Sequence, residues 1–226
     1  MKRVWLLLAG LALVVTACSF NFGGGSSSSQ AAPTPAAQSK VLFHDDFSNP
    51  DSGWDRVKDS TGSLTDYVDG RYRIFVNESN TDIWANPGKN FDGDVVVAVD
   101  AVRNSGPLDN DFGVICRYQD ADNYYFFVIS SDGYAGIGAV VNGDQNLLNK
   151  EGKMVSTDKL PQGKGVTYHI EASCIGNALT LTVNGKRILT VTDDRLAPTG
   201  DVGLMAGTFD AKGTDILFDN FVVRRP

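Results

Sequence analysis

DFGVICRYQDADNYYFFVISSDGYAGIG, residues Asp111–Gly138, reads as three consecutive antiparallel strands, and the rest of the chain is arranged around it. Phe112 to Tyr118 alternates, with Phe112, Val114, Cys116 and Tyr118 on one face and Gly113, Ile115 and Arg117 on the other. Asn123 to Ile129 is apolar or aromatic at nearly every position, the pattern of a strand covered on both faces. Asp120-Ala121-Asp122 and Ser131-Asp132-Gly133 supply the two turns, the second with glycine where a positive φ is needed. With a two-residue first loop and a three-residue second, Cys116, Phe127, Ile129 and Ile137 share an inner face. Arg117, Tyr124, Phe126, Tyr134, Gly136 and Gly138 then share the other. Rings, one guanidinium and two glycines suit a shallow polar ligand such as a sugar. They equally suit a second packing layer, and both readings stand.

Outward from this stretch the same grammar repeats. Val41–Phe47 and Asp215–Val223 are strand-like runs near the two ends of the folded part, placed to pair and close a sheet. Tyr72–Asn77, Asp82–Asn86 and Val95–Val102 are β-prone runs punctuated by Asp, Asn, Gly and Pro. Residues 142–165 read as a polar excursion with one short strand at Asn146–Leu148. Ile170, Ala172 and Cys174 then alternate with His169, Glu171 and Ser173, and Leu179, Leu181 and Val183 alternate with threonines. Asn184-Gly185 is a type I′ hairpin signal. Roughly a dozen strands and no sustained helical period predict an all-β antiparallel jelly-roll sandwich.

The N-terminus has a different character. MKRVWLLLAGLALVVTAC carries two cations, an apolar run from Val4 to Val15 and small residues before Cys18. The run is short for a spanning helix, and Val15-Thr16-Ala17-Cys18 resembles the bacterial lipobox. That resemblance implies a signal peptide over residues 1–17, cleavage before Cys18 and a diacylglycerol on its thiol. Residues 18–39 are uncharged and low in complexity, which predicts a flexible tether with a reach of about 25 Å. The globular domain is then 40–226, exported and held to the cell membrane by its lipid, outside the cytoplasm.

Charge narrows the partners. Without Lys2 and Arg3 the chain has 18 Lys and Arg against 27 Asp and Glu, a formal −9, which disfavours nucleic acid and anionic lipid and favours neutral or cationic partners. Only Glu78, Glu151 and Glu171 are glutamates; the aspartates cluster in turn contexts.

DDFSNPDSGW (45–54), FGVICRYQDADNYYFFVISSDGY (112–134), LTLTVNGKRI (179–188) and GDVGLMAGTFDAKGTDILFDNFVV (200–223) resemble the concanavalin A-like lectin/glucanase superfamily. The nearest branch is the one with laminin G-like and 3-keto-disaccharide hydrolase domains, many of them in bacterial surface lipoproteins. The resemblance covers residues 40–226 and implies two curved sheets with a concave face that often holds carbohydrate. The Glu-x-Asp-x-Glu motif of the laminarinase-type relatives is absent, since the three glutamates are 73 and 20 positions apart. An aspartate pair, such as Asp111 with another acid across the sheet, is the remaining route to glycoside cleavage.

The expectation is therefore a surface lipoprotein domain that recognises carbohydrate without catalysis. A hydrolase of the 3-keto-disaccharide type and a structural or protein-contact domain are the alternatives. Candidate carbohydrate-binding residues are Trp84, Asn86, Asp111, Arg117, Tyr124 and Tyr134, rings for the C–H face of a sugar and polar groups for its hydroxyls; Trp84 also reads as core. Cys116 and Cys174, an inward-pointing pair in an oxidising compartment, predict a disulfide. No cofactor is evident beyond a structural calcium, which the resemblance implies, with Asp46 and Asp219 as weak candidates where the chain ends meet.

Overall fold

The computed structural model describes residues 39–163 and 165–226. The leader, Cys18 and the tether lie outside the described residues. The unit Gln38–Pro226 contains both sheets, the whole core and the disulfide, and so has what it needs to fold alone.

Seventeen strands run in order: β1 Val41–Asp45, β2 Val57–Lys58, β3 Leu64–Val68, β4 Arg71–Val76, β5 Thr81–Ala85, β6 Phe91–Asp92, β7 Val95–Ser105, β8 Asn110–Asp120 and β9 Asn123–Ile129; then β10 Tyr134–Val141, β11 Asp144–Leu147, β12 Val155–Ser156, β13 Thr167–Ile175, β14 Ala178–Val183, β15 Lys186–Thr192, β16 Thr199–Thr208 and β17 Thr214–Arg224. One sheet has the order β15-β14-β13-β7-β17-β4-β3-β2, with β1 on β17. The other runs β11-β10-β9-β8-β16-β5, with β12 on β10 and β6 on β16. All pairs are antiparallel, and the two end strands pair as expected, Val41 opposite Arg224 and Asp45 opposite Phe221.

The period-two alternation of each strand decides what is buried between the sheets. From the first sheet come Val95, Val97 and Val99 of β7, Ile170, Ala172 and Cys174 of β13, and Phe218 and Phe221 of β17. Facing them are Phe112, Val114 and Cys116 of β8, Tyr125, Phe127 and Ile129 of β9, and Ile137 of β10. Register confirms the inner face read from the sequence: Val114 lies opposite Phe127, which lies opposite Ile137. Cys116 and Cys174 form a disulfide across the core, so one covalent bond joins the two sheets. Trp54 closes one end, packed edge-on to Phe221 with its indole N–H donating to the buried Asp45 carboxylate at 2.9 Å.

Two local expectations are corrected. The excursion at 142–165 is a hairpin strand at Asp144–Leu147, a 3-10 turn at Lys150–Gly152 and a second short strand, β12, because the edge of β10 away from β9 offers backbone groups to both, β11 along Gly138–Val141 and β12 along Tyr134–Ala135. The Asn184-Gly185 turn is as predicted, with φ of 49° and 74°. Arg117, however, adopts φ 52° in an irregularity of β8 between Cys116 and Asp120, which turns its side chain off the outer face.

Candidate functional site

The second sheet curls towards its outer face. Trp84 on β5 and Tyr124 on β9 are three strands apart, about 14 Å in a flat sheet, yet their ring centroids are 5.8 Å apart. Gln145 on β11 and Asp82 on β5 are at opposite ends of the six-strand order, yet the Gln145 amide donates to Asp82 Oδ2 at 3.0 Å. The outer face is therefore concave.

Most of its middle is filled. Ile115, Tyr124, Phe126, Val128, Val140 and Met205 are buried there, with Trp84, Tyr118, Leu147 and Met154 packed over them. Tyr124 is 3% exposed, its ring between Trp84 and Tyr118, and burial pushes its phenol well above the ordinary range. For Tyr124 the packing reading is the correct one. At one end the face stays open as a cavity of about 410 Å³, lined by Phe126, Val128, Leu147 and Met154 on one side and by Asp82, Asp111 and Gln145 on the other.

The two aspartates meet over one glycine. Asp82 of β5 and Asp111 of β8 both pair with Gly207 of β16, the strand between them. A Cβ on Gly207 would overlap Oδ1 of each, so the missing side chain is what lets the carboxylates share this place. Asp111 is 8% exposed, and its Oδ1 has no hydrogen-bond partner. Burial, then the neighbouring charges of Asp82 and Asp109, push the Asp111 carboxyl well above the ordinary carboxylate range. Burial also raises Asp82, against the Gln145 amide, which favours its ionised form. Two carboxylates facing one glycine, one of them buried without a partner, disfavour the ionisation of both together.

This arrangement sets a pH dependence. Folding raises the Asp111 pKa, so between the unfolded value near 4 and the folded one the native state binds more protons than the unfolded chain. The Asp111 contribution to stability is then greatest at low pH and declines as pH rises through that window. Asp201, pushed up to about 6 chiefly by burial, adds its own decline over the lower part. Asp111→Asn removes the first contribution, so in urea titrations its stability relative to the parent protein is expected to rise as pH climbs above the unfolded value near 4; a constant difference would mean that Asp111 ionises normally.

A wider depression of about 700 Å³ adjoins the cavity, sharing Asn80, Leu147, Met154 and Phe209 with it. It carries Asp109, Asp132 and Asp210, with Lys153 and the 41% exposed Tyr134. Asp109 is raised by burial and by the charges of Asp132 and Asp210, which places the three carboxylates near one another.

Of the residues expected at the site, Trp84, Asp111, Tyr124 and Tyr134 share the concave sheet and Asn86 follows the end of β5, but only Asp111 lines the cavity and only Tyr134 the adjoining depression. Trp84 instead lines a mostly apolar depression of about 210 Å³ with Leu64 and Ile83, on the other side of Asp82, which lines both. Asn86 is buried, and its amide donates to the Val202 carbonyl at 2.7 Å. Arg117 belongs to the corner of the sandwich: its guanidinium donates to the Gly176 carbonyl, lies 3.6 Å from Asp94 and covers the Tyr125 ring. Asp46 caps its own turn through Ser48, and Asp219 accepts from the Asn220 N–H. Among the described residues no three His, Cys, Asp or Glu side chains are grouped to hold a metal. His169 pairs with Asp100 at 2.7 Å on the outer face of the other sheet. Sequence reasoning missed Asp82 and Gln145. The alternation in TDIWAN, which aligns Asp82 with Trp84, was a usable signal for the first; nothing local announces the second.

No known protein family matches the chain at the sequence level, and no curated protein does. Solved structures do match. The carbohydrate-binding module CBM66 from Bacillus subtilis is 16% identical with a TM-score of 0.56, over 76% of this chain and 96% of that one. A Bacillus subtilis protein of unknown function with a galectin-like fold is 11% identical with a TM-score of 0.60, over 83% and 98%. A Bacillus licheniformis β-glucanase is 12% identical with a TM-score of 0.55, over 84% and 100%. The chain thus has the concanavalin A-like jelly-roll sandwich, a fold that it shares with carbohydrate-binding modules and glycoside hydrolases.

Proposed function

We propose that this chain is a lipid-tethered, extracytoplasmic recognition domain that binds carbohydrate in the cavity at the end of its concave sheet, without cleaving it. The observation that carries this reading is the two-sided lining. Leu147 and Met154, the partly exposed members of the apolar lining, offer a wall to the C–H face of a pyranose, opposite carboxylates and an amide able to take its hydroxyls. The lipobox at Val15–Cys18 and the uncharged tether support the anchored placement. One observation favours a second reading, glycoside hydrolysis. Asp111, raised by burial, beside Asp82 supplies a candidate acid and a carboxylate able to act as nucleophile, the two groups that a retaining mechanism uses.

The test is an NMR time course of residues 38–226 with a panel of oligosaccharides and 3-keto-glycosides. Broadened sugar lines without product are expected. New anomeric signals abolished by Asp111→Asn would establish the hydrolase, and a silent panel would turn the assignment to protein contacts.

A further inference from the structure

The cavity and the depression beside it are strongly acidic. Five aspartates line the two, Asp82 and Asp111 at the floor and Asp109, Asp132 and Asp210 at the rim, against a single cation, Lys153. Rim acids alone carry no meaning on a chain with this many turn aspartates. The floor differs, because Asp111 is more than nine-tenths buried with an oxygen that no residue satisfies. The Gln145 amide answers Asp82 alone, and among the described residues no cation lines the cavity itself. Buried charge without a counter-charge is unfavourable, and this one faces three more carboxylates.

From this we infer that the bound saccharide carries a free, protonated amino group, as a de-N-acetylated hexosamine does, seated on the Asp82–Asp111 floor with its ring against Leu147 and Met154. The inference rests on the saccharide reading and narrows it. An ammonium has three N–H donors, and the floor offers three acceptors: the two carboxylates and Gln145 Oε1, left free because the amide nitrogen donates to Asp82. An N-acetyl group has one N–H and would turn its carbonyl towards carboxylates. Uronates and sialates would bring like charge into the same place.

The experiment is isothermal titration of residues 38–226 with oligosaccharides of glucosamine, of N-acetylglucosamine and of glucose, with lysine amide as a ring-free amine and calcium chloride as a metal probe. Glucosamine oligomers are expected to bind at least about tenfold more tightly than every other ligand, with an affinity that falls as salt rises. Asp111→Asn should reduce that affinity roughly ten- to a hundredfold. Asp109→Asn with Asp210→Asn, both at exposed positions, should weaken it several-fold with no folding risk. Equal binding of the N-acetylated or neutral oligomers would overturn the amine preference while leaving the saccharide reading intact. Equal binding of lysine amide would show that charge alone is read, and tight calcium binding lost in Asp111→Asn would assign the floor to a metal. If no oligosaccharide binds at all, the saccharide reading itself falls.

Discussion

Replacing Cys116 and Cys174 together by alanine is expected to destabilise the domain by about 4 kcal/mol, read as a lower urea midpoint with a melting temperature lower by roughly 10 °C. The bridge closes a loop of 58 residues, and opening it restores that freedom to the unfolded chain. Its native-state role points the same way. Both cysteines are fully buried, Cys116 in the sheet that carries the cavity and Cys174 in the sheet behind it. Alanine, not serine, is the right replacement, since two hydroxyls in this core would add an unrelated penalty. A loss under about 1 kcal/mol with an unchanged denaturant slope would mean that the unfolded chain is already restricted or that the bridge does not form.

The inner half of the fold was legible because burial between two sheets imposes a strict period of two. Phe127 and Ile137 could be assigned to one face from turn lengths alone, and their register agrees. The three-residue loop Ser131–Gly133 is as read: Ile129 lies opposite Ala135, the Ser130 N–H donates to the Tyr134 carbonyl at 2.8 Å, and Tyr134 faces outward. Arg117 shows where the rule stops. One residue with φ 52° breaks the alternation of β8, and neither Cys116-Arg117 nor Tyr118 announces it.

The outer half was less legible for a geometric reason. Which outer residues meet depends on how far the sheet curls, and curl accumulates from the twist of six strands without a signature at any one position. Tyr124 looks like a binding ring in sequence and is covered because Trp84, three strands away, leans onto it. Asp82 and Gln145 are separated by 63 residues and five strand intervals, yet hydrogen-bond. The suspicion that Asp111 has an acidic partner across the sheet was sound, but naming Asp82 required knowing that a glycine stands between them.

That glycine gives the most direct functional test. Gly207→Ala is expected to lower saccharide affinity by more than about tenfold, while destabilising the domain by a more modest 1–3 kcal/mol or about that. The added methyl points at the concave face and overlaps Asp82 Oδ1 and Asp111 Oδ1 together. Backbone pairing of β16 with β5 and β8 can survive, because the obstruction is two side-chain oxygens and no main-chain atom. Asp82 has room to swing into the cavity, but Asp111 is enclosed, so the relief comes by splaying the pair and filling the floor. Splaying the pair weakens the burial and mutual charge that raise Asp111, so the pH-dependent stability that distinguishes the parent protein from Asp111→Asn should shrink in Gly207→Ala as well. Binding and titration are thereby tied to one atom position. Unchanged affinity in a folded Gly207→Ala protein would move the site off this floor, and the depression beside Trp84, Leu64 and Ile83 would become the place to look.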